Sequence, residues 1–242
     1  MSWEQNLLHS LPYFQCLPPN LQHRLRDDVK IFIAEKHFEG VHGLDVTDEM
    51  RVVIAAQACV LELGRTPTYY NSLKSIIVYP STFVTSQRAH IGAGAAVVKP
   101  LHTLGQWSST GAMALAWDSV LEGARDIGDG QNVVFHEFAH QLDSVNGSVN
   151  GAPDLVSRAR YMAWARVMSR EFDQLKMDTH LGLPTVISTY GATNPGEFFA
   201  VATEAFFERP THLRAMHPAL YDQLRTFYGQ DPADWSCSSI NR

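Results

Sequence analysis

Apolar residues recur at helical spacing early in the chain. Leu21, Leu25, Val29 and Ile33 follow Pro18-Pro19-Asn20 and predict a helix over about 19–36. A second helix is predicted from about Thr47 to Leu63, stopped at Gly64. Its apolar residues, among them Val52, Val53, Ile54, Val60 and Leu61, nearly encircle it, so it belongs in the interior. Ser75-Ile76-Ile77-Val78-Tyr79 before Pro80 reads as a short strand with a hard stop. Residues 81–110, rich in Gly, Ser, Thr and other small residues, predict one or two short strands among loops. Met113-Ala114-Leu115-Ala116-Trp117 predicts another strand, and Asp126–Gly130 a turn.

The second half reads as helices. One runs from Val133 to about Leu142 and ends near Asn146-Gly147. A long one spans Leu155 to about Met177, and residues 178–193 are irregular. Asn194-Pro195 opens another, to about Glu208. The last runs from about Thr211 to Tyr228, closed by Gly229 and Pro232. No internal repeat or low-complexity linker divides the chain. The expectation is an α+β fold: one mainly helical domain over 1–242 with a small sheet, a helical part (about 1–70) packing on a core (71–242).

With 242 residues, 45% of them hydrophobic, the chain is long enough to bury a sizeable core. A fold of this size hides roughly 70–75% of the surface its unfolded chain exposes. It needs no metal or disulfide as a staple, so a metal site here is functional. The formal charge of −6, with Lys and Arg scattered, excludes a general nucleic-acid or membrane-surface binder. Cys16, Cys59 and Cys237 are odd in number and widely spaced, which fits neither a disulfide framework nor a cysteine zinc site. A reduced compartment follows. Met1 to Asn6 lacks a basic start before an apolar stretch, and no run approaches ~18 apolar residues. A cytoplasmic protein without membrane or direct nucleic-acid contact is expected.

Chemistry concentrates in His136-Glu137-Phe138-Ala139-His140. Residues four apart on a helix share a face, about 5–6 Å apart at Cβ. One zinc ion, at roughly 2.0–2.1 Å from each imidazole nitrogen, bridges that gap. Glu137, beside the first His, can reach a water there as general base. The bland alternative is two surface histidines with a Glu between them. Val133, Val134, Phe135, Phe138 and Ala139 oppose it, because they make the helix an interior one.

A catalytic zinc usually has three protein ligands and an open position. A third His six residues after the second is excluded, because that position is Asn146. Asp143 can orient an imidazole or simply belong to the helix end; the helix end is favoured. The better ligand candidates are Glu197 and Glu204, seven apart on one face of an apolar helix. Glu197 has a competing reading: with Asn194 as N-cap and Pro195 after it, Glu197 completes a capping box. Glu204 is either the ligand or an orienting partner for His136 or His140. Tyr190, seven before Glu197, is either an oxyanion donor or a partly buried core residue.

These segments together are recognisable. His136 through Asp143, Asn146-Gly147, Tyr190 and Asn194-Pro195-Gly196-Glu197-Phe198-Phe199-Ala200-Val201 resemble the Mlc titration factor A family. These are bacterial zinc peptidases related to the catalytic domain of anthrax lethal factor. The likeness includes the strand ending at Tyr79-Pro80 and the tail Phe227-Tyr228-Gly229-Gln230-Asp231-Pro232, so it covers the chain from about residue 20. It implies a gluzincin-like HExxH core with one Zn2+ on His136, His140 and Glu197, Glu137 as base, Tyr190 assisting and Glu204 behind the ligands. It also implies aminopeptidase-like action on peptide or protein substrates. The family's namesake binds the glucose repressor Mlc and relieves repression of sugar uptake, so a transcriptional repressor is a further implied partner. The alternative function is then a regulatory protein that sequesters such a repressor, its zinc of minor catalytic importance. For the peptidase, Met113–Trp117 is expected to be an edge strand that holds the peptide extended by main-chain hydrogen bonds.

Overall fold

The computed structural model describes residue 7 and residues 11–81, 83–91, 95–103, 105–108 and 111–235. Helix α1 (Pro19–Glu35) has proline in its first turn, where the missing N–H costs nothing. Strand β1 (His37–Gly40) follows, then α2 (Asp48–Val60), capped by Thr47, whose hydroxyl accepts the Met50 amide. The interior position expected for α2 is found: it is buried from Val52 to Val60. Strand β2 (Ser75–Tyr79) lies where the sequence puts it.

Residues 81–110 hold more strand than expected. β3 (Phe83–Ile91) and β4 (Ala95–Thr103) form an antiparallel hairpin of their own. β5 (Gly105–Ser108) and β6 (Ala112–Ala116) join the main sheet, ordered β1-β2-β6-β5. β1, β2 and β6 are parallel, and β5 runs antiparallel to β6. This corrects the reading of Met113–Trp117 as an edge strand. β6 is paired on both sides, and the edges belong to β1 and β5. Strand order in space depends on pairing partners far along the chain, which local pattern does not carry. Trp117 is not strand either: it starts helix α3 (Trp117–Arg125), which the sequence reading omits.

Helix α4 (Val133–Asp143) packs against β5, β6, α2 and α3. Helix α5 (Arg158–Leu181) starts at its Ser157 cap and ends at Gly182, whose φ of 67° suits glycine. It is displaced a few residues from the expected span. Helix α6 (Pro195–Glu208) crosses α4. The single final helix expected over 211–228 is two, α7 (Pro210–Met216) and α8 (Pro218–Tyr228). Pro218 has no N–H to continue the first and starts the second.

One buried apolar cluster runs from Leu7 to Tyr228. Behind α4, the Phe138 ring lies 4.6 Å from Tyr70 and 5.8 Å from Phe32. Each aromatic ring removed from water in this way contributes roughly 1.5–3 kcal/mol. That packing fixes the back of α4 and leaves its other face to the site. Cys59 is a buried free thiol, but Cys16 is disulfide-bonded, against the expectation of unbridged cysteines. Cys237 and Met1 to Asn6 lie outside the described residues. Among the described residues no helix is long and apolar enough to cross a membrane.

Candidate metal centre

Two capped helices bring the site together. Asn132 starts α4: its side-chain oxygen accepts the Phe135 amide at 3.0 Å. The helix then puts His136 and His140 on one face, ring centroids 4.8 Å apart and nearly perpendicular. Asn194 starts α6 by accepting the Glu197 amide at 3.0 Å. The capping signal was therefore sound, but the Glu197 carboxylate faces the histidines. Its Oε2 lies 2.9 Å from His136 Nε2 and 3.4 Å from His140 Nε2.

This donor set suits a metal ion. Two imidazole nitrogens and a carboxylate oxygen lie within 4.8 Å of one another. Ligand atoms on one tetrahedral zinc stand roughly 3.3 Å apart, given bonds of about 2.0–2.1 Å. The two Glu197–His pairs, at 2.9 and 3.4 Å, already stand near that spacing. Glu197 closes the group, where spacing had left Glu204 as a rival.

Glu204 stands on the far side of His136 instead. Its Oε1 accepts from His136 Nδ1 at 2.8 Å, and its Oε2 accepts the Asn132 main-chain N–H at 2.6 Å. His136 is thus held between two carboxylates. Burial works against its positive charge, but hydrogen bonds to Glu197 and Glu204 raise its pKa to about 10. Burial likewise opposes ionised Glu197, yet both imidazoles hold it at about 2. The pocket is negative enough to stabilise a cation.

Glu137 is 6% exposed. Burial raises its carboxyl, and His136 and His140 pull it back. Tyr190, on the 3-10 turn Thr189–Ala192 that leads into α6, has its ring 6.0 Å from His136. At 54% exposed it is no core tyrosine. Asp143 ends α4 and accepts the Gly151 amide at 2.6 Å, pinning the loop that follows.

Three polar residues behind the site were missed. Asn132, Gln57 and Glu208 are all buried, and the Asn132 amide donates to Gln57 Oε1 at 2.9 Å and to Glu208 Oε1 at 3.0 Å. A signal existed for two of them. Gln57 is the one polar residue between Val52 and Val60, and Asn132 directly precedes an apolar helical run.

The sequence matches the family described as glucose-regulated metallo-peptidase M90 over residues 1–229. The chain belongs to that family. The M90 match reaches upstream of the residues that carried the resemblance. Among similar proteins, an uncharacterized protein of Synechocystis, slr2042, is 40% identical over 236 residues, 95% of this chain and 84% of that protein. Mlc titration factor A of Klebsiella pneumoniae is 28% identical over 236 residues, 96% of this chain and 87% of that protein. The same-named protein of Yersinia pestis is 29% identical over 235 residues, 95% and 84% respectively.

Proposed function

We propose that this M90 chain is a zinc-dependent peptidase with aminopeptidase-like action. One observation carries it: a carboxylate from α6 meets both imidazoles of α4, with a buried Glu137 between them in sequence. His136, His140 and Glu197 are the ligands, and one Zn2+ per chain is the ion. When bound, zinc supplies Lewis acidity and makes water a stronger acid near neutral pH.

The rest falls to the chain's own groups. Glu137 takes a proton from the attacking water and passes it to the leaving amine. Its dry surroundings and the raised carboxyl make it a better base than an exposed glutamate. Tyr190 donates its hydroxyl proton in a hydrogen bond to the carbonyl oxygen as negative charge gathers there. Glu204 keeps the proton on His136 Nδ1, so that Nε2 offers its lone pair towards the ion. The peptide pairs with β5, the strand that ends the sheet beside α4, in place of the role first given to Met113–Trp117.

A peptide-library digest with zinc added and with zinc chelated tests this. Zinc-dependent release of N-terminal residues supports it. Cleavage only at internal bonds removes the aminopeptidase specificity, and no cleavage by zinc-loaded protein removes the peptidase reading.

A second reading rests on the names of the relatives, several of which are called Mlc titration factor A. In it the chain binds a transcriptional repressor. Glu137→Gln protein that still binds such a repressor and still alters its target genes would support this reading; loss of both with hydrolysis would oppose it.

A further inference from the structure

Asn132 is 1% exposed and stands where four helices meet. Its side-chain oxygen starts α4 at the Phe135 amide. Its side-chain nitrogen donates to Gln57 Oε1 of α2 at 2.9 Å, to Glu208 Oε1 of α6 at 3.0 Å and to the Gly123 carbonyl of α3 at 3.1 Å. Its main-chain N–H donates to Glu204 Oε2 at 2.6 Å. Glu204 in turn accepts from His136 Nδ1 at 2.8 Å.

Starting a helix does not require this residue. Ser or Asp caps as well as Asn, because only an acceptor oxygen is needed. The amide alone adds two N–H donors to that oxygen, and here those donors reach three other helices. Gly123 leaves the space. A Cβ there would stand 3.0 Å from Asn132 Cγ and 3.1 Å from its Nδ2. The fold therefore gives up a side chain on α3 to let this amide sit against the helix backbone.

We propose that Asn132 is a positioning residue of the metal site. It locks the start of α4 to α2, α3 and α6, fixes Glu204 through its main-chain N–H, and so sets the direction of His136 Nε2. This rests on the reading of His136, His140 and Glu197 as ligands. Two variants of the full chain separate it from simple helix capping. Asn132→Ser keeps the cap and the main-chain N–H but removes the amide donors. Gly123→Ala keeps Asn132 and displaces it.

The measurements are zinc affinity by competition with a chromophoric chelator, the visible spectrum of the cobalt-loaded protein, and thermal melting without metal. His140→Ala is the control for the ligand reading. Both variants should fold, bind zinc 10–100-fold more weakly, and give an altered cobalt spectrum. Wild-type affinity and spectrum in folded Asn132→Ser, even with a lower melting temperature, would make Asn132 a cap and overturn the proposal. If Asn132→Ser does not fold, Gly123→Ala decides on the same two readouts. Zinc binding unchanged in His140→Ala would sink the ligand reading itself, and the proposal with it.

Discussion

Glu208, the last residue of α6, is 6% exposed, and its carboxyl is held well above the usual carboxylate range. Burial pushes it up to about 10; Asp129 and Glu204 push the same way, while the Asn132 amide opposes them. The unfolded chain releases that proton at the ordinary value of 4.5. The folded value is the raised one, so the folded state binds more protons and stability falls as pH rises from about 4.5 towards 10. At about 1.4 kcal/mol per pH unit, ionisation of the unfolded chain costs about 3 kcal/mol of stability by pH 7. Glu208→Gln removes this cost. Its amide oxygen still accepts from Asn132, and its NH2 takes the place of the protonated oxygen beside Asp129. Urea unfolding of metal-free protein should show the variant more stable by about 3 kcal/mol at pH 7 and by under about 1 kcal/mol at pH 5. A difference that does not change with pH, or a loss that grows with pH, would refute the claim that folded Glu208 is protonated.

Other consequences follow from packing and the site. Burial would raise Glu171, but hydrogen bonds from His217 and Arg170 outweigh it and hold the carboxyl below its usual value. A depressed folded value gives stability that is present above about 4.5 and lost as pH falls through the folded value. His217→Ala, which removes a 2.8 Å contact, should cost about 1–3 kcal/mol at pH 6 and progressively less below pH 4 in acid-unfolding curves. Phe138→Ala should cost about 3–5 kcal/mol in urea unfolding, because Phe32 and Tyr70 lose the ring between them. Tyr190→Phe should lower kcat on the order of 10²-fold with little change in KM, and an unchanged kcat would remove its part in the reaction.

Much of the site was legible because its residues sit on capped, strongly apolar helices. Asn194-Pro195 fixed the start of α6 to the residue, and the apolar run after Asn132 fixed α4. What local pattern lacked was partners. Glu197 and Glu204 have equivalent spacing, and only the packing of α6 on α4 sends one to Nε2 of both histidines and the other to His136 Nδ1. β1 was missed because four residues are too few to show a period. α3 was missed because it begins on Trp117, the residue after β6, with no loop to mark the change. The break at Pro218 was readable from the missing N–H of proline. The edge strand moved from Met113–Trp117 to β5 because pairing order is a property of the whole sheet.

The proposed reaction needs Glu137 as a base beside a bound ion. The most direct measurement is zinc content and peptide hydrolysis of Glu137→Gln, side by side with the parent protein. Gln keeps the size of the side chain and leaves His136, His140 and Glu197 in place. The expected result is one zinc per chain with hydrolysis reduced at least about 10²-fold. Full zinc with undiminished hydrolysis would contradict the mechanism.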